Sequence, residues 1–287
     1  MTRRDALRLI AGGGAGLVLA RSTPGAMDES AKLIERKIPS SGEMLPVIGL
    51  GTWQAFDVGS SSAERQPLEE VLATFVRCGA RLIDSSPMYG RAEAVVGEIA
   101  AKLRLTSDLF LATKVWTSGK AAGLKSMEHS LDLLKTRKLD LMQVHILVDA
   151  PTHLATLRDW KKEGRLRYIG ITHYTASAHA EVARMLEREA VDFVQINYSI
   201  MEREAEQRVL SVAQERGVAV IVNRPLGGGG LFGRVRGKPL PDYAAEFDCT
   251  SWAQFFLKWI VAHPAVTCAI PATNRVDHLI DNLQGGV

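Results

Sequence analysis

Short apolar runs alternate along most of the chain with longer stretches whose apolar residues recur at helical spacing. The short runs predict strands at Val47–Leu50, Arg81–Asp84, Leu109–Lys114, Leu141–His145, Tyr168–Thr172, Phe193–Asn197, Val218–Val222 and Val266–Ile270. Most lack strict alternation of polar and apolar residues, which is typical of strands buried on both faces. Between them, helical spacing predicts helices at Leu68–Cys78, Ala92–Leu103, Leu124–Lys135, His153–Glu163 and Ala176–Glu187.

The regular spacing of these units predicts an α/β fold built as a (β/α)₈ TIM barrel in a single domain. Successive strand ends from Asp84 to Val222 are about 24–31 residues apart, as in repeated βα units. The length of 287 residues suits a barrel, for which about 250 residues is typical. A short hairpin, Leu33–Ile38 and Met44–Ile48, precedes it. The alternative is an open doubly wound sheet, but no G-x-G-x-x-G follows the first strand of this region.

The first 26 residues differ from the rest of the chain. Arg3 and Arg4 precede a glycine-rich apolar run, Leu9–Ala20, which as a helix of about twelve residues would span roughly 18 Å. A bilayer core is about 30 Å thick, so this run is too short to cross it. We therefore predict a twin-arginine signal peptide at residues 1–26, which would direct the barrel of residues 33–287 through the Tat translocase to the periplasm. If translation starts at Met27 instead, the protein would be cytoplasmic.

Composition narrows the choice of partners. A hydrophobic content of 46%, a charged content of 23% and a net charge of +3 are ordinary for a globular protein. The basic residues are scattered rather than clustered in a stripe, so no nucleic-acid partner is expected. The seven histidines show no H-x-x-x-H or similar spacing, so no metal site is expected either.

Polar side chains stand at three consecutive predicted strand ends. Asp84 closes the second strand, Lys114 the third and His145 the fourth, and Tyr89 follows Asp84 by five residues. Neighbouring strands lie about 4.8 Å apart, so side chains at equivalent levels should converge at the carboxyl ends of the strands, where barrel active sites lie. Each residue taken singly has a structural explanation, such as an ion pair or a core histidine. Their arrangement on successive strands favours a shared site.

This set of side chains suits the reduction of a carbonyl group. Hydride addition to carbon creates an alkoxide, which needs a proton donor and nearby positive charge. An ammonium about 4 Å from a phenol is worth roughly 4 kcal/mol at an effective dielectric constant of 20. We therefore expect Lys114, held by Asp84, to lower the pKa of Tyr89 from its ordinary value near 10, and His145 to orient the carbonyl oxygen.

Several segments of the chain resemble the aldo-keto reductase family from Leu33 to Asn282. They are LPVIGLGTW (45–53), LIDSSPMYGRAEAVVGE (82–98), FLATKVW (110–116), LDLMQVH (139–145), YIGITHY (168–174), FVQINYS (193–199), RPLGGGGLFG (224–233) and IPATNRVDHLIDN (270–282). The resemblance implies that Asp84, Tyr89, Lys114 and His145 form a catalytic tetrad with Tyr89 as proton donor. It further implies a monomer that reduces aldehydes or ketones with a nicotinamide cofactor.

The resemblance also implies where that cofactor lies. Barrels commonly bind phosphate in the loops after the seventh and eighth strands, near a helix N-terminus. The matching positions predict cofactor contacts at Thr172, His173, Gln195, Asn223, Arg224, Leu226, Gly227, Thr273, Asn274, Arg275 and Asn282. Among these, Gln195 matches the residue that holds the nicotinamide carboxamide.

The sequence departs from the family pattern at several of these positions. Asn223 stands where many members have a tyrosine that stacks on the nicotinamide, and His173 where asparagine is common. Ala272 and His278 replace basic residues that read the 2′-phosphate. Arg275 could supply that charge as a bidentate fork, so NADP is favoured and NAD stays possible.

The substrate pocket is expected to be an apolar cleft with a small polar floor. Trp53 and Trp116 match aromatic positions that line family pockets, whereas Ile146 and Leu147 make one wall aliphatic. The family's long C-terminal loop is missing or short. The alternative function is a non-enzymatic barrel that binds the cofactor as a redox sensor or regulatory subunit. A short-chain dehydrogenase would need Y-x-x-x-K, and none of the five tyrosines has a lysine four residues on.

Overall fold

The computed structural model describes residues 32–287. The predicted signal peptide, residues 1–26, and the alternative start at Met27 lie outside the described residues. The strands are β1 Glu35–Lys37, β2 Met44–Pro46, β3 Leu50–Gly51, β4 Leu82–Asp84, β5 Phe110–Val115, β6 Leu139–His145, β7 Leu166–Thr172, β8 Phe193–Asn197, β9 Ala219–Asn223 and β10 Val266–Ala269. The helices are α1 Ser62–Arg77, α2 Ala92–Leu103, α3 Lys120–Leu133, α4 Ala150–Lys162, α5 His179–Arg188, α6 Val209–Glu215, α7 Gly230–Val235, α8 Trp252–Val261 and α9 Val276–Gln284. Within residues 32–287, no helix has the length and apolar content needed to span a membrane.

The eight strands from β3 to β10 pair in parallel and in sequence order. The two edges of this sheet meet, because Ile48 bridges to Ala269 and Gly51 to Ala272. Backbone hydrogen bonds of 2.8 Å from Gly49 N to Ala269 O and from Ala269 N to Val47 O close the ring. The predicted (β/α)₈ barrel is confirmed, and the alternative of an open doubly wound sheet is wrong.

Several helix boundaries differ from the sequence-based prediction, and the starts of α1 and α5 are two examples. Helix α1 begins at Ser62, six residues before the predicted Leu68, and contains Pro67. Ser61 caps it by accepting a hydrogen bond from the backbone N–H of Glu64, and its hydroxyl bonds the Glu64 carboxylate. This is the S-x-x-E capping pattern, which predicts a helix start even though a proline follows. The predicted helix Ala176–Glu187 divides into a 3₁₀ turn, Ala176–Ala178, and α5.

The interior of the barrel is apolar at its lower end and polar at its upper end. Alternate residues of a strand face the same side, so each inward-facing column can be followed along the sequence. The lower end is filled by a buried cluster that includes Leu82, Phe110, Ala112, Leu141, Tyr168, Phe193, Ala219, Ile221 and Cys268. Two or four residues further along the same columns stand Asp84, Lys114, Gln143, His145, Thr172, Gln195 and Asn223. The strand period therefore carries the polar side chains to the carboxyl ends of the strands.

The hairpin of β1 and β2 covers the lower end of the barrel, as its buried residues Ile38 and Leu45 join the interior cluster. Arg36 attaches it to the end of α8. The guanidinium donates hydrogen bonds to the carbonyl oxygens of Val261 (2.5 Å), His263 (2.6 Å) and Val266. Val261 is the last residue of α8, and the last carbonyls of a helix have no partner within it, so the bond from Arg36 to Val261 satisfies a group that would otherwise be left open.

We expect Arg36→Met to lower the free energy of unfolding by roughly 1–3 kcal/mol, because it leaves the partly buried carbonyl of Val261, at the end of α8, without its donor. Urea unfolding followed by circular dichroism measures this loss. Lys37→Met is the matched control, since the neighbouring side chain is exposed and its loss should change stability little. Equal stability of the two variants would contradict the assigned role of Arg36.

Candidate active site

A buried ion pair lies at the upper end of the barrel interior. Lys114 Nζ donates to Asp84 Oδ2 at 2.6 Å and to the carbonyl oxygen of Ser85 at 2.6 Å. The Lys114 and Asp84 side chains are 0% and 2% exposed. Burial alone would lower the pKa of Lys114, but the charges and hydrogen bonds of Asp84 and Tyr89 raise it above its usual value. Lys114 is therefore an ammonium at neutral pH.

Two glutamines hold the other oxygen of the carboxylate. Asp84 Oδ1 accepts hydrogen bonds from Gln195 Nε2 at 2.8 Å and from Gln143 Nε2 at 3.2 Å. Sequence reasoning missed Gln143, although it stands two residues before His145 and so shares its face of the strand. It also placed His145 level with Lys114, whereas the register pairs Lys114 with Gln143. His145 lies two residues further along β6 and so closer to the opening of the barrel.

Tyr89 lies in the loop that follows β4, with its ring beside the ion pair. Lys114 Nζ is 4.9 Å from the centre of the ring. The loop is anchored where α2 begins, because the exposed Asp57 accepts a 2.9 Å hydrogen bond from the backbone N–H of Arg91. Gly90, between Tyr89 and Arg91, has a φ of +59°, a conformation that favours glycine. The chain thus turns back over the barrel and brings Tyr89 to Lys114.

The predicted lowering of the pKa of Tyr89 is wrong. Burial raises the pKa of Tyr89 above its usual value of 10.0, and the charge of Lys114 offsets only part of this rise. The carboxylate of Asp84 raises it further. The ammonium of Lys114 attracts the phenolate, but the desolvation of the phenolate outweighs this attraction. Tyr89 is therefore a protonated phenol at neutral pH, which is the form that a proton donor requires.

His145 lies at the end of β6 with its ring between two aromatic rings. The Tyr89 ring meets it edge-on at 6.1 Å and the Trp116 ring at 6.3 Å. Its Nδ1 is 3.1 Å from the hydroxyl of Ser86. Burial, with a smaller effect from the charge of Lys114, lowers the pKa of His145 from 6.5 to about 3. The imidazole is therefore neutral over the physiological range.

A cleft of about 570 Å³ opens over these side chains. Its walls come from the carboxyl ends of the strands and the loops that follow them, which is where barrel enzymes bind their ligands. Asp84, Tyr89 and His145 line its floor, whereas Lys114 lies fully buried beneath them. Trp53, Met88, Tyr174 and Phe232 also line the cleft and are exposed. The arrangement combines an apolar opening with a proton donor, a neutral imidazole and a buried cation.

Comparison with known proteins assigns the chain to a family. A family model described as "Aldo/keto reductase family" matches residues 47–286. The chain belongs to this family. A curated relative, methylglyoxal reductase from Escherichia coli, is 27% identical over 257 residues, which cover 86% of this chain and 88% of the relative. An NADP-dependent D-sorbitol-6-phosphate dehydrogenase from Malus domestica is 25% identical, covering 85% and 86%.

Solved structures show the same fold. An aldo/keto reductase from Klebsiella pneumoniae, crystallised with NADP and acetate, superposes with a TM-score of 0.70 at 28% identity. The superposition covers 85% of this chain and 87% of that structure. The eight-stranded barrel is therefore the aldo/keto reductase fold.

Most positions expected to contact a cofactor in this aldo/keto reductase lie around the cleft, and some do not. Those that line it are Thr172, Gln195, Asn223, Arg224, Leu226, Thr273 and Asn274, together with Trp53 from the expected substrate pocket. His173, Gly227, Arg275, Asn282 and Trp116 are not part of the lining. The ring of His173 faces its own loop, where Nδ1 accepts hydrogen bonds from Tyr174 N and Thr175 N. Asn282 is buried within α9, at 5% exposure.

A chain of amides links the expected nicotinamide region to the ion pair. Gln195 Oε1 accepts hydrogen bonds from Thr172 Oγ1 at 3.2 Å and from Asn223 Nδ2 at 3.4 Å. Asn223 Nδ2 also reaches the carbonyl oxygen of His173 at 3.2 Å. Asn223 Oδ1 is buried and has no hydrogen-bond partner within residues 32–287. It is therefore an acceptor available to a ligand in the cleft.

The pKa of His145 predicts how stability depends on pH. The unfolded chain binds a proton at this residue below about pH 6.5, whereas the folded protein does so only near pH 3. Stability is therefore lost as the pH falls through this interval, by about 2 kcal/mol at pH 5. Urea unfolding of the wild type and of His145→Gln between pH 7 and pH 4.5 tests this. The wild type should lose more stability than the variant, and parallel curves would contradict the pKa assigned to His145.

Proposed function

We propose that the chain reduces aldehydes or ketones to alcohols with a nicotinamide cofactor. One observation carries this proposal: a fully buried ammonium, Lys114, lies 4.9 Å from the ring of Tyr89 at the floor of the cleft. Family membership supports the same reaction class, and the names of the relatives include reductases and a dehydrogenase.

Tyr89, Lys114, Asp84 and His145 have distinct roles in this proposal. Neutral His145 donates a hydrogen bond to the carbonyl oxygen and fixes its position. Tyr89 gives its proton to that oxygen as negative charge develops on it. Lys114 stabilises the phenolate that remains, and Asp84 keeps Lys114 charged and in place. Since the ammonium is buried, its attraction for the new negative charge is less screened than it would be in water.

The wall of the cleft formed by Asn223, Arg224 and the glycine turn after them fits a dinucleotide. When bound, the dinucleotide would supply the hydride. The open acceptor Asn223 Oδ1 matches the amide N–H groups of a nicotinamide carboxamide. Arg224, at a φ of +51°, lies beside the turn at Gly227–Gly229, where all three glycines also have positive φ. No acidic side chain of the described region pairs with Arg224. An uncompensated cation beside a glycine turn suits a diphosphate.

We assign NADP rather than NAD as the cofactor, through Arg275, which follows the lining residues Thr273 and Asn274. A solved relative binds NADP and another is named NADP-dependent, which supports this choice. Arg275 donates to both oxygens of Asp277, from Nε at 3.0 Å and from Nη2. Both side chains are more than half exposed, so the pair contributes little stability. A 2′-phosphate could take the place of the carboxylate on the same guanidinium fork.

Small carbonyl compounds with an apolar body are the proposed substrates. The exposed rings of Trp53, Tyr174 and Phe232 surround the cleft, and Trp116 meets His145 edge-on. The relative named methylglyoxal reductase supports a small aldehyde or ketone. A non-enzymatic sensor would bind the cofactor without turnover, so steady oxidation of NADPH by an aromatic aldehyde separates the two functions. The resemblance to the family favours a monomer.

We expect Tyr89→Phe to lower kcat for aldehyde reduction by about 10²–10⁴-fold, because it removes the proton donor and leaves the ring in place. Oxidation of NADPH measured at saturating aldehyde gives kcat directly. Tyr243→Phe is the control, since Tyr243 is exposed and does not line the cleft. Unchanged turnover in Tyr89→Phe would remove Tyr89 from the reaction.

Cofactor choice is tested at the Arg275–Asp277 pair. Arg275→Gln should raise KM for NADPH by roughly tenfold, as expected for the loss of a charged hydrogen-bond donor, and leave KM for NADH unchanged. Asp277→Asn should lower KM for NADPH by at most about fivefold, because an exposed ion pair is weak and easily broken. Equal changes for both cofactors in Arg275→Gln would show that this arginine does not select NADP.

We also propose that residues 1–26 are a twin-arginine signal and that the barrel of residues 33–287 acts in the periplasm. The support is the sequence alone: Arg3 and Arg4 stand before a short apolar run. This route carries folded proteins, so the cofactor would travel inside the barrel. Initiation at Met27 would instead leave the protein in the cytoplasm.

Export is tested by fusing residues 1–30 to a reporter protein. The fusion should reach the periplasm, and the double substitution Arg3→Lys with Arg4→Lys should hold it in the cytoplasm while keeping the charge. Cell fractionation measures both. A wild-type fusion that stays in the cytoplasm would support initiation at Met27.

A further inference from the structure

The hydroxyl of Ser86 lies behind the imidazole of His145. Ser86 is fully buried, at 0% exposure, and belongs to the loop that carries Tyr89. Its Oγ is 3.1 Å from His145 Nδ1 and also 3.3 Å from the backbone N–H of Met88. No other hydrogen-bond partner of this hydroxyl exists within residues 32–287. The position of its single proton therefore decides which nitrogen of His145 carries a hydrogen.

Only one arrangement satisfies every group. The backbone N–H of Met88 can only donate, so Ser86 Oγ accepts from it and has its own proton left to give. If that proton points to His145 Nδ1, the ring accepts it and carries its hydrogen on Nε2. In the opposite tautomer, Nδ1–H would donate to Oγ, and the hydroxyl proton would have no acceptor. A buried donor without a partner costs about 1–3 kcal/mol, so the first arrangement is favoured.

We propose that Ser86 is a positioning residue that holds His145 as the tautomer with its hydrogen on Nε2. The ring then presents an N–H donor to the cleft, while Nδ1 is occupied by Ser86. This role rests on the proposed function, because the donor is needed only if a carbonyl oxygen binds beside it. The opposite tautomer would turn the lone pair of Nε2 toward the lone pairs of that oxygen and repel it.

The surroundings of the ring support a fixed tautomer. His145 contacts Tyr89 and Trp116 edge-on, at 6.1 and 6.3 Å between ring centres, and its Nδ1 lies 3.1 Å from Ser86 Oγ. Lys114 holds a positive charge nearby and disfavours a second proton on the imidazole. With the ring neutral and its orientation set, the hydroxyl of Ser86 is the group that distinguishes the two nitrogens.

The tautomer can be observed directly in the protein with ¹⁵N-labelled histidine. Long-range ¹H–¹⁵N correlation spectra distinguish a protonated from an unprotonated ring nitrogen, and loss of a signal in His145→Gln assigns it. In the wild type at pH 7, we expect Nδ1 of His145 to be unprotonated and Nε2 protonated. Ser86→Ala should give a mixture of tautomers, and Ser86→Thr, which retains the hydroxyl, should restore the wild-type pattern. Ser85→Ala removes a neighbouring buried hydroxyl that bonds Thr52 instead, and should leave the His145 signals as in the wild type.

Kinetics tests the consequence for the reaction. Ser86→Ala should lower kcat for aldehyde reduction about tenfold, as expected for one misplaced hydrogen bond, with KM for NADPH unchanged, and Ser86→Thr should recover it. A wild-type His145 protonated on Nδ1, or a Ser86→Ala variant with the wild-type tautomer and kcat, would overturn the inference. The spectra need no substrate, so a chain without reductase turnover but with the expected tautomer would contradict the proposed function and leave the role of Ser86 intact.

Discussion

The ion pair of Asp84 and Lys114 acts on the protonation of both side chains proposed to contact the carbonyl oxygen, Tyr89 and His145. A lysine with no exposed surface can stay charged only with a partner, and Asp84 supplies it at 2.6 Å. That charge offsets part of the rise in the pKa of Tyr89 and helps to keep His145 neutral. Removing one partner alone would leave a buried charge, at a cost of about 3–5 kcal/mol. Structure and chemistry at this site therefore depend on the same contact.

The barrel accommodates this buried ion pair without disturbing the regular structure of its strands. Each strand has an inward-facing column whose lower part is apolar, so the polar residues occupy only its last positions, where the barrel opens. The two glutamines, Gln143 on β6 and Gln195 on β8, satisfy the second oxygen of Asp84. The carboxylate thereby accepts hydrogen bonds from three donors on three strands, and its side chain has little freedom to move away from Lys114.

The sequence was sufficient for the barrel, which follows from strand spacing, and strand-end position selected the four residues that we propose as catalytic. It was not sufficient for the contacts that depend on register and burial. Gln143 lies opposite Lys114 because the two neighbouring strands are staggered. The stagger cannot be read from the sequence of either strand alone. The direction of the Tyr89 pKa depends on how far water is excluded from the phenol. The pairing of Arg275 with Asp277 depends on side-chain conformation, which the spacing of residues along the sequence does not determine.

The account rests on the claim that the buried pair as a whole favours the phenolate of Tyr89. The direct test is the pKa of Tyr89, measured with ¹³Cζ-labelled tyrosine in the wild type and in the double variant Asp84→Asn with Lys114→Met, which replaces both charges together. Lys114 has a larger effect on the phenol than Asp84 has, so Tyr89 should titrate at a higher pH in the double variant than in the wild type. An equal or lower pKa in the double variant would contradict the account.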